Sequence, residues 1–162
     1  MIIAEIGSVH DGSLGNAKKL KEVAKNSGAN FVKFQMHNAN EETLKDAFTP
    51  DYFSEEKRFE YFNRTSFSIG QWKSLIKHSK LKKIDFMCSV FSIKAFDILF
   101  KLRVRNIKIP SGELTNLPLL KSINKKKGLN IFLSTGMSSW NEIDEALKML
   151  NNHKVILMQC SS

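Results

Sequence analysis

The sequence predicts an α/β fold, a TIM-type (β/α) barrel represented by about its first six βα units. Three observations carry this. Short, continuously apolar segments alternate with amphipathic ones, the pattern of a parallel sheet covered by helices. From the third apolar segment onward the alternation is regular and free of long interruptions, which favours a barrel over a doubly wound sheet. No GxGxxG follows the first strand, which also counts against a dinucleotide-binding sheet. The chain has 162 residues, enough for one domain with a substantial core and short for two.

Taken in order, Ile2–Gly7 (IIAEIG) reads as a buried strand. Ser13–Gly28 follows as an amphipathic helix, with Ser13 as its cap and Gly28 as its stop. The second strand is Asn30–Met36 (NFVKFQM). A helix over Ser68–Lys83 leads to a third strand at Ile84–Ser89. Helix 92–103 precedes the strand NIKIP, helix 116–128 precedes LNIFLST, and helix 138–152 precedes KVILMQCSS. Residues 37–68 break the rhythm, and a connection this long is usually functional. Its aromatics, Phe48, Tyr52, Phe53, Phe59, Tyr61 and Phe62, predict a packed loop with short helices at the barrel mouth. A closed barrel needs eight strands, so a pattern ending at six predicts an incomplete barrel, or one completed by another chain.

Composition narrows the class. The net charge is +9, but the lysines scatter along helices, and Asn124–Gly128 (NKKKG) is the one tight cluster, placed where a helix end favours cations. A solvated lysine-rich surface and a site for a small anion fit this better than nucleic acid, for which no RNP-type or zinc-finger pattern exists. No apolar run approaches the roughly 18 residues of a membrane span, and the N-terminus lacks the form of a signal peptide. A cytoplasmic protein is expected, with no membrane or nucleic-acid partner. Cys88 and Cys160 have no CxxC partner and are expected to be free, small buried thiols.

The chemistry of a parallel barrel lies at the C-terminal ends of its strands. The polar residues there are Glu5 and His10; Lys33 and Gln35; Cys88, Ser89 and Ser92; Lys108, Ser111 and Glu113; Ser134 and Thr135; and Gln159, Ser161 and Ser162. Two lysines among several hydroxyls suit a phosphate and a carboxylate, since lysine acts as a point charge and hydroxyls donate to phosphate oxygens. Glu5 and Glu113 would handle protons or sugar hydroxyls. A ligand-filled mouth would explain a cation, a hydroxyl and a carboxylate closing an apolar strand in KIPSGE, because an unpaired buried charge costs several kcal/mol. A purely structural ion pair between Glu5 and Lys33, on adjacent strands, is the competing reading. His10 remains open between ligand, substrate contact and plain loop residue; His37, His78 and His153 read as surface or loop residues.

Six blocks, IIAEIGSVHDGSLGNAKKL, ANFVKFQ, DFMCSVFS, IKIPSGELTNLPLL, FLSTGMSS and ILMQCSS, occur in this order. Together they resemble the sialic acid synthase (NeuB-like) family, the N-acetylneuraminate and related nonulosonate synthases, over essentially the whole chain. The resemblance implies a TIM barrel that condenses phosphoenolpyruvate with an N-acetylated amino sugar such as N-acetylmannosamine. Water attacks C2 of the enol unit, C3 attacks the sugar aldehyde, and phosphate leaves by C–O cleavage. By position, Lys33 would bind the carboxylate of phosphoenolpyruvate, and Ser89, Lys108, Ser111 and Ser134 its phosphate. Glu5 would be the acid/base residue, Glu113 would contact the sugar or the attacking water, and Gln35 would line the same pocket. A divalent metal, Mn2+ or Mg2+, is implied for the family enzyme as the Lewis acid on the aldehyde, with its histidine ligands beyond residue 162. Strands seven and eight and a C-terminal antifreeze-like domain are likewise expected outside residues 1–162. A homodimer, or a partner chain supplying the missing strands, is implied.

The chain departs from the family pattern in three places. It has VHDG for Asn-His-Asn-Gly, CSVF for Ser-Thr-Pro-Phe and QCSS for His-Cys-Thr-Ser, which marks a divergent subgroup. Two other classes stay open: a related aldol-type deoxy-octulosonate or deoxy-heptulosonate synthase, and an inactive barrel fragment serving as a binding or assembly module.

Overall fold

Alternating strands and helices run through the computed structural model, which describes residues 1–48 and 56–160. Tyr52, Phe53, Ser161 and Ser162 of the sequence reading lie outside the described residues. The strands are β1 (Ile3–Gly7), β2 (Phe31–Met36), β3 (Asp85–Val90), β4 (Asn106–Ile109), β5 (Asn130–Ser134) and β6 (Lys154–Met158). The helices are α1 (Leu14–Asn26), α2 (Ala39–Glu42), α3 (Arg58–Thr65), α4 (Ile69–Leu81), α5 (Ile93–Lys101), α6 (Leu117–Asn124) and α7 (Trp140–Met149). Strand order is β1-β2-β3-β4-β5-β6, with each recorded pairing parallel. The predicted α/β class and element order are therefore present. Most strands are shorter at their ends than the apolar runs, and β3 is shifted by one residue from Ile84–Ser89 to Asp85–Val90; β6 stops at Met158, before Gln159 and Cys160.

The chain divides into two compact units, Met1–Phe86 and Met87–Ser162. In the first, Glu5 stands opposite Lys33, and the register shifts between Glu5 and Gly7. Gly7 takes the left-handed conformation there (φ 51°), which glycine adopts without the Cβ clash of other residues. The core of this unit is aromatic. Phe34 stacks on Phe86 at 5.5 Å and meets Trp72 edge-on, and Trp72 meets Phe67 edge-on. Helix α4 starts at a capping box, Ser68 with Gln71, so its first amide groups are satisfied locally. The long connection after β2 does carry two short helices, α2 and α3, with Phe62 buried, whereas Phe48, expected to pack, is exposed.

The second unit is built from repeating strand–helix segments. Ser92, Asn116 and Ser139 each accept an amide hydrogen bond at the N-terminus of α5, α6 and α7. Register pairs Cys88 with Ile107 and Ile109 with Leu133; these side chains are fully buried, as are Phe96, Leu99, Leu119 and Ile123 of the helices. The opposite face carries Ser89 beside Lys108, and Lys108 beside Phe132. The apolar runs thus hide a strict alternation, since successive residues of a strand point to opposite faces.

Candidate functional site

Each unit gathers predicted site residues at the C-terminal ends of its strands. In the first, Glu5, Lys33 and Gln35 share one face, because Glu5 is in register with Lys33 and Gln35 lies two residues further on. Lys33 Nζ forms an ion pair with Glu5 Oε2; the lysine side chain is largely buried, whereas the glutamate is about half exposed. The structural pairing weighed from the sequence therefore exists. It also accounts for how a cation is tolerated at the end of β2. The Gln35 amide and Glu5 Oε1 both approach the space beside Gly7.

In the second unit Ser89, Lys108 and Ser134 are buried, at 2%, 6% and 4% exposure. Lys108 Nζ donates to the carbonyl of Ile109 at 3.1 Å, one of the three hydrogen bonds an ammonium can make. Pro110 ends β4 and a single 3-10 turn, Ser111–Glu113, follows before α6. That turn presents the Ser111 hydroxyl to the loop after β5. The Gly136 N–H donates to Ser111 Oγ at 3.1 Å, and the Ser111 hydroxyl points to Cys160 Sγ at 3.7 Å. Cys160 in turn donates to the Met158 carbonyl. Hydrogen bonding from Ser134, then from Ser111 and the amides of Gly136 and Thr135, holds the Cys160 thiol below its ordinary pKa, and burial opposes them. A group of donors that stabilises a thiolate is also suited to a bound oxyanion. Glu113 Oε2 accepts from Asn116 Nδ2 at 2.7 Å, which fixes that carboxylate at the start of α6.

The structure decides among the histidines. His10 is buried, stacked on Phe67 at 4.4 Å, and its Nδ1 accepts from the Gly12 N–H. Burial lowers its pKa, so it is a neutral ring closing the turn after β1. His37 is a loop residue directly after β2, one of the two readings the sequence left open, and its side chain is largely buried: its ring is stacked flat on Phe62 and bonded to Glu42 and Gln35. His78 contacts Glu22, and His153 reaches the Ile123 carbonyl. Sequence reasoning missed Cys160, Gly136 and Asn116 as parts of the serine cluster. It also missed His37, although its spacing of two from Gln35 placed it on the same face. Both cysteines are free, but only Cys88 is buried; Cys160 is partly exposed, a correction to the expectation for that residue.

Among the described residues, no three His, Cys, Asp or Glu side chains come together to hold a metal ion. No helix among the described residues is long and apolar enough to cross a membrane.

Parallel strands with lysine and serine side chains at their C-terminal ends define an α/β protein equipped to hold an anion, and comparison with known proteins specifies the family. The NeuB family model matches residues 20–162, and the chain belongs to that family. It is 38% identical over 172 residues to the N,N'-diacetyllegionaminic acid synthase of Campylobacter jejuni, covering 100% of this chain and 51% of that protein. It is 33% identical over 170 residues to the N-acetylneuraminate-9-phosphate synthase of Drosophila melanogaster, covering 99% of this chain and 45% of that one. The crystal structure of a sialic acid synthetase from Leptospira borgpetersenii, in complex with citrate, superposes with a TM-score of 0.83 at 30% identity, over 99% of this chain and 54% of that one. The chain spans about half the length of these relatives.

Proposed function

We propose that this chain carries the phosphoenolpyruvate-binding part of a nonulosonate synthase, which condenses phosphoenolpyruvate with an N-acetylated amino sugar. The observation that supports this most directly is the donor cluster of Ser111, Ser134 and the Gly136 N–H around Cys160, in the same unit as Lys108. Lys108 and the hydroxyls of Ser89, Ser111 and Ser134 take the phosphate; Lys33 takes the carboxylate. Both lysines sit in largely buried positions, where attraction to an anion is screened less than at a surface. Glu5, paired with Lys33, is the acid/base group near the reacting carbons. Glu113, oriented by Asn116, contacts the sugar or the attacking water, and Gln35 lines the same pocket.

In the overall reaction water adds its oxygen to C2 of phosphoenolpyruvate, C3 bonds to the aldehyde carbon, and the bond between C2 and the phosphate oxygen breaks. Phosphate leaves with that oxygen, and the aldehyde oxygen becomes a hydroxyl. The names of the relatives support an N-acylated sugar as acceptor.

Calorimetric titration of phosphoenolpyruvate into the chain tests this, beside Lys108→Ala. Saturable binding weakened at least tenfold in the variant is expected, on the order of the 1.5–3 kcal/mol of a charge-assisted hydrogen bond. Equal binding by the two folded proteins, or none by either, would remove the phosphate site from this reading.

A further inference from the structure

The NKKKG cluster gains cationic neighbours at the N-terminal ends of the strands of the second unit. Register sets Asn106 of β4 beside Asn130 of β5, and Asn130 beside Lys154 of β6. The Asn130 side chain donates to that of Asn106 at 2.9 Å. The turns leading into these strands are joined as well. The Arg105 guanidinium lies 4.7 Å, and the Lys126 ammonium 5.3 Å, from the centroid of one ring, Phe100. Asn124 Nδ2 donates to Asn151 Oδ1 at 3.2 Å, and Asn152 Nδ2 to the Asn124 carbonyl at 3.3 Å. The turns α5–β4, α6–β5 and α7–β6 thereby bring Arg103, Arg105, Lys125, Lys126, Lys127 and Lys154 to one end of the unit. Of these, Arg103, Lys125, Lys127 and Lys154 are exposed.

The sequence places no carboxylate in any of the three turns. Glu113 follows β4 at the opposite end, and Glu142, Asp144 and Glu145 lie in the first half of α7. Asp97 is one turn from Lys101 on α5 and can answer that lysine. A helix dipole favours a cation in the last turn. It accounts for Lys101 and Lys121 and reaches Lys125, the C-cap of α6, but not the residues beyond. Neighbouring strands are about 4.8 Å apart, so the turns fall within the Debye length of about 8 Å at physiological salt, and their charges repel one another. The Phe100 ring offsets this for Arg105 and Lys126; an anion would relieve the rest.

We propose that this end of the second unit is a docking surface for an acidic, extended segment of a partner protein. Charge complementarity sets the sign of the partner. Two features select a polypeptide among polyanions. Asn106, Asn130, Asn151 and Asn152 stand among the cations, and a carboxamide bonds main-chain N–H and C=O groups as it bonds another amide. The exposed side chains of these turns are all lysine, arginine or asparagine. Phe100, the one phenyl ring there, is engaged by Arg105 and Lys126. The surface therefore offers no ring for a nucleic-acid base to stack on and no apolar side chain to enter a bilayer. It lies a strand's length from Ser134, so a docked partner leaves the serine–lysine cluster open, and the inference does not depend on the function proposed above.

Fluorescence anisotropy of a labelled deca-glutamate peptide, titrated with the full chain at low ionic strength, tests this. The variant Lys125→Glu/Lys127→Glu/Lys154→Glu reverses three exposed charges of the surface. Lys19→Glu/Lys73→Glu/Lys77→Glu makes the same change in net charge on exposed positions of α1 and α4. The first should weaken peptide binding about tenfold or more, and the second about twofold or less, because a local patch and not the total charge holds the peptide. Equal weakening by the two variants, or no saturable binding by the parent, would overturn the proposal. Tighter binding of duplex DNA or of phosphatidylserine vesicles than of the peptide would also overturn it. Should the first variant fail to fold, glutamine at the same three positions replaces glutamate and is read against the same control. Phosphoenolpyruvate titration reads the other ends of the strands, so a failure of the proposed function leaves this result standing, and the reverse.

Discussion

Gly136 donates its backbone N–H to Ser111 Oγ at 3.1 Å, and a methyl group on Gly136 would stand 2.9 Å from that same oxygen and 3.2 Å from the Cβ of Cys160. The absence of a side chain is therefore what allows the loop after β5 to close on the turn after β4. Gly136→Ala should displace the Ser111 hydroxyl while leaving the rest of the fold intact, because φ at this position is not in the left-handed region. Phosphoenolpyruvate affinity should fall about tenfold or more, as for one lost charge-assisted hydrogen bond, with the circular dichroism spectrum unchanged. Calorimetric titration of the variant checks this.

The Glu5–Lys33 pair should respond unequally to removal of its two halves. The glutamate is half exposed and the lysine largely buried. Lys33→Met leaves a carboxylate that water can solvate, whereas Glu5→Gln takes the counter-ion from a buried ammonium. Surface partners cost little and buried ones more, so Glu5→Gln should be the more destabilising variant in urea denaturation. Equal losses would show that the pair is effectively solvated.

Lys21 makes stability depend on pH. It is fully buried between α1 and α4, where its ammonium donates to the Leu75 carbonyl and Ser79 Oγ donates to the same oxygen. Burial lowers its pKa from 10.5 to about 7, the nearby Lys18 adds to this, and Glu22 opposes it. In the unfolded chain the proton is held up to about pH 10.4. Between these values the unfolded state binds the extra proton, so stability should rise with pH from about 7 to about 10. Below pH 7 both states hold the proton and the penalty is complete. Lys21→Met should flatten that rise and be more stable than the parent at pH 7, as measured by urea denaturation across the range.

Cys160 should alkylate at lower pH than an ordinary thiol. The hydroxyl of Ser134 is the largest contributor, followed after opposing burial by Ser111 and the Gly136 and Thr135 amides. Its rate of reaction with iodoacetamide should reach half-maximum below the ordinary thiol range, and Ser134→Ala should move that midpoint upward. Cys88, with no exposure, should not react in the folded chain. Phosphoenolpyruvate should slow alkylation of Cys160 if the phosphate occupies the neighbouring donors.

The order of strands and helices was legible because each element carries its own local signal. Ser68 and Ser139 announce helix starts, and capping boxes form at both; the apolar runs of β3 to β5 announce buried strands. Glu5, Lys33, Lys108, Ser111 and Ser134 were legible because a polar residue in or just after an apolar strand is conspicuous, and their blocks match a family pattern. Cys160 reads as a free, small buried thiol, since nothing local distinguishes it. Its environment comes from Ser134 on the neighbouring strand and from Ser111, a sequence separation of 49 residues.

By itself, then, the sequence determined the α/β class, the order of strands and helices and the residue types near the strand ends. Tertiary structure alone decided which of those groups bear on one another. Lys33 found Glu5 through the parallel register of β1 and β2, and Ser111 found Gly136 and Cys160 through the packing of loops. His37 became a buried side chain only because α2 and α3 return to cover it. Strand and helix periodicity is a property of neighbouring residues, whereas register, burial and the pairing of charges depend on contacts between residues far apart in the chain.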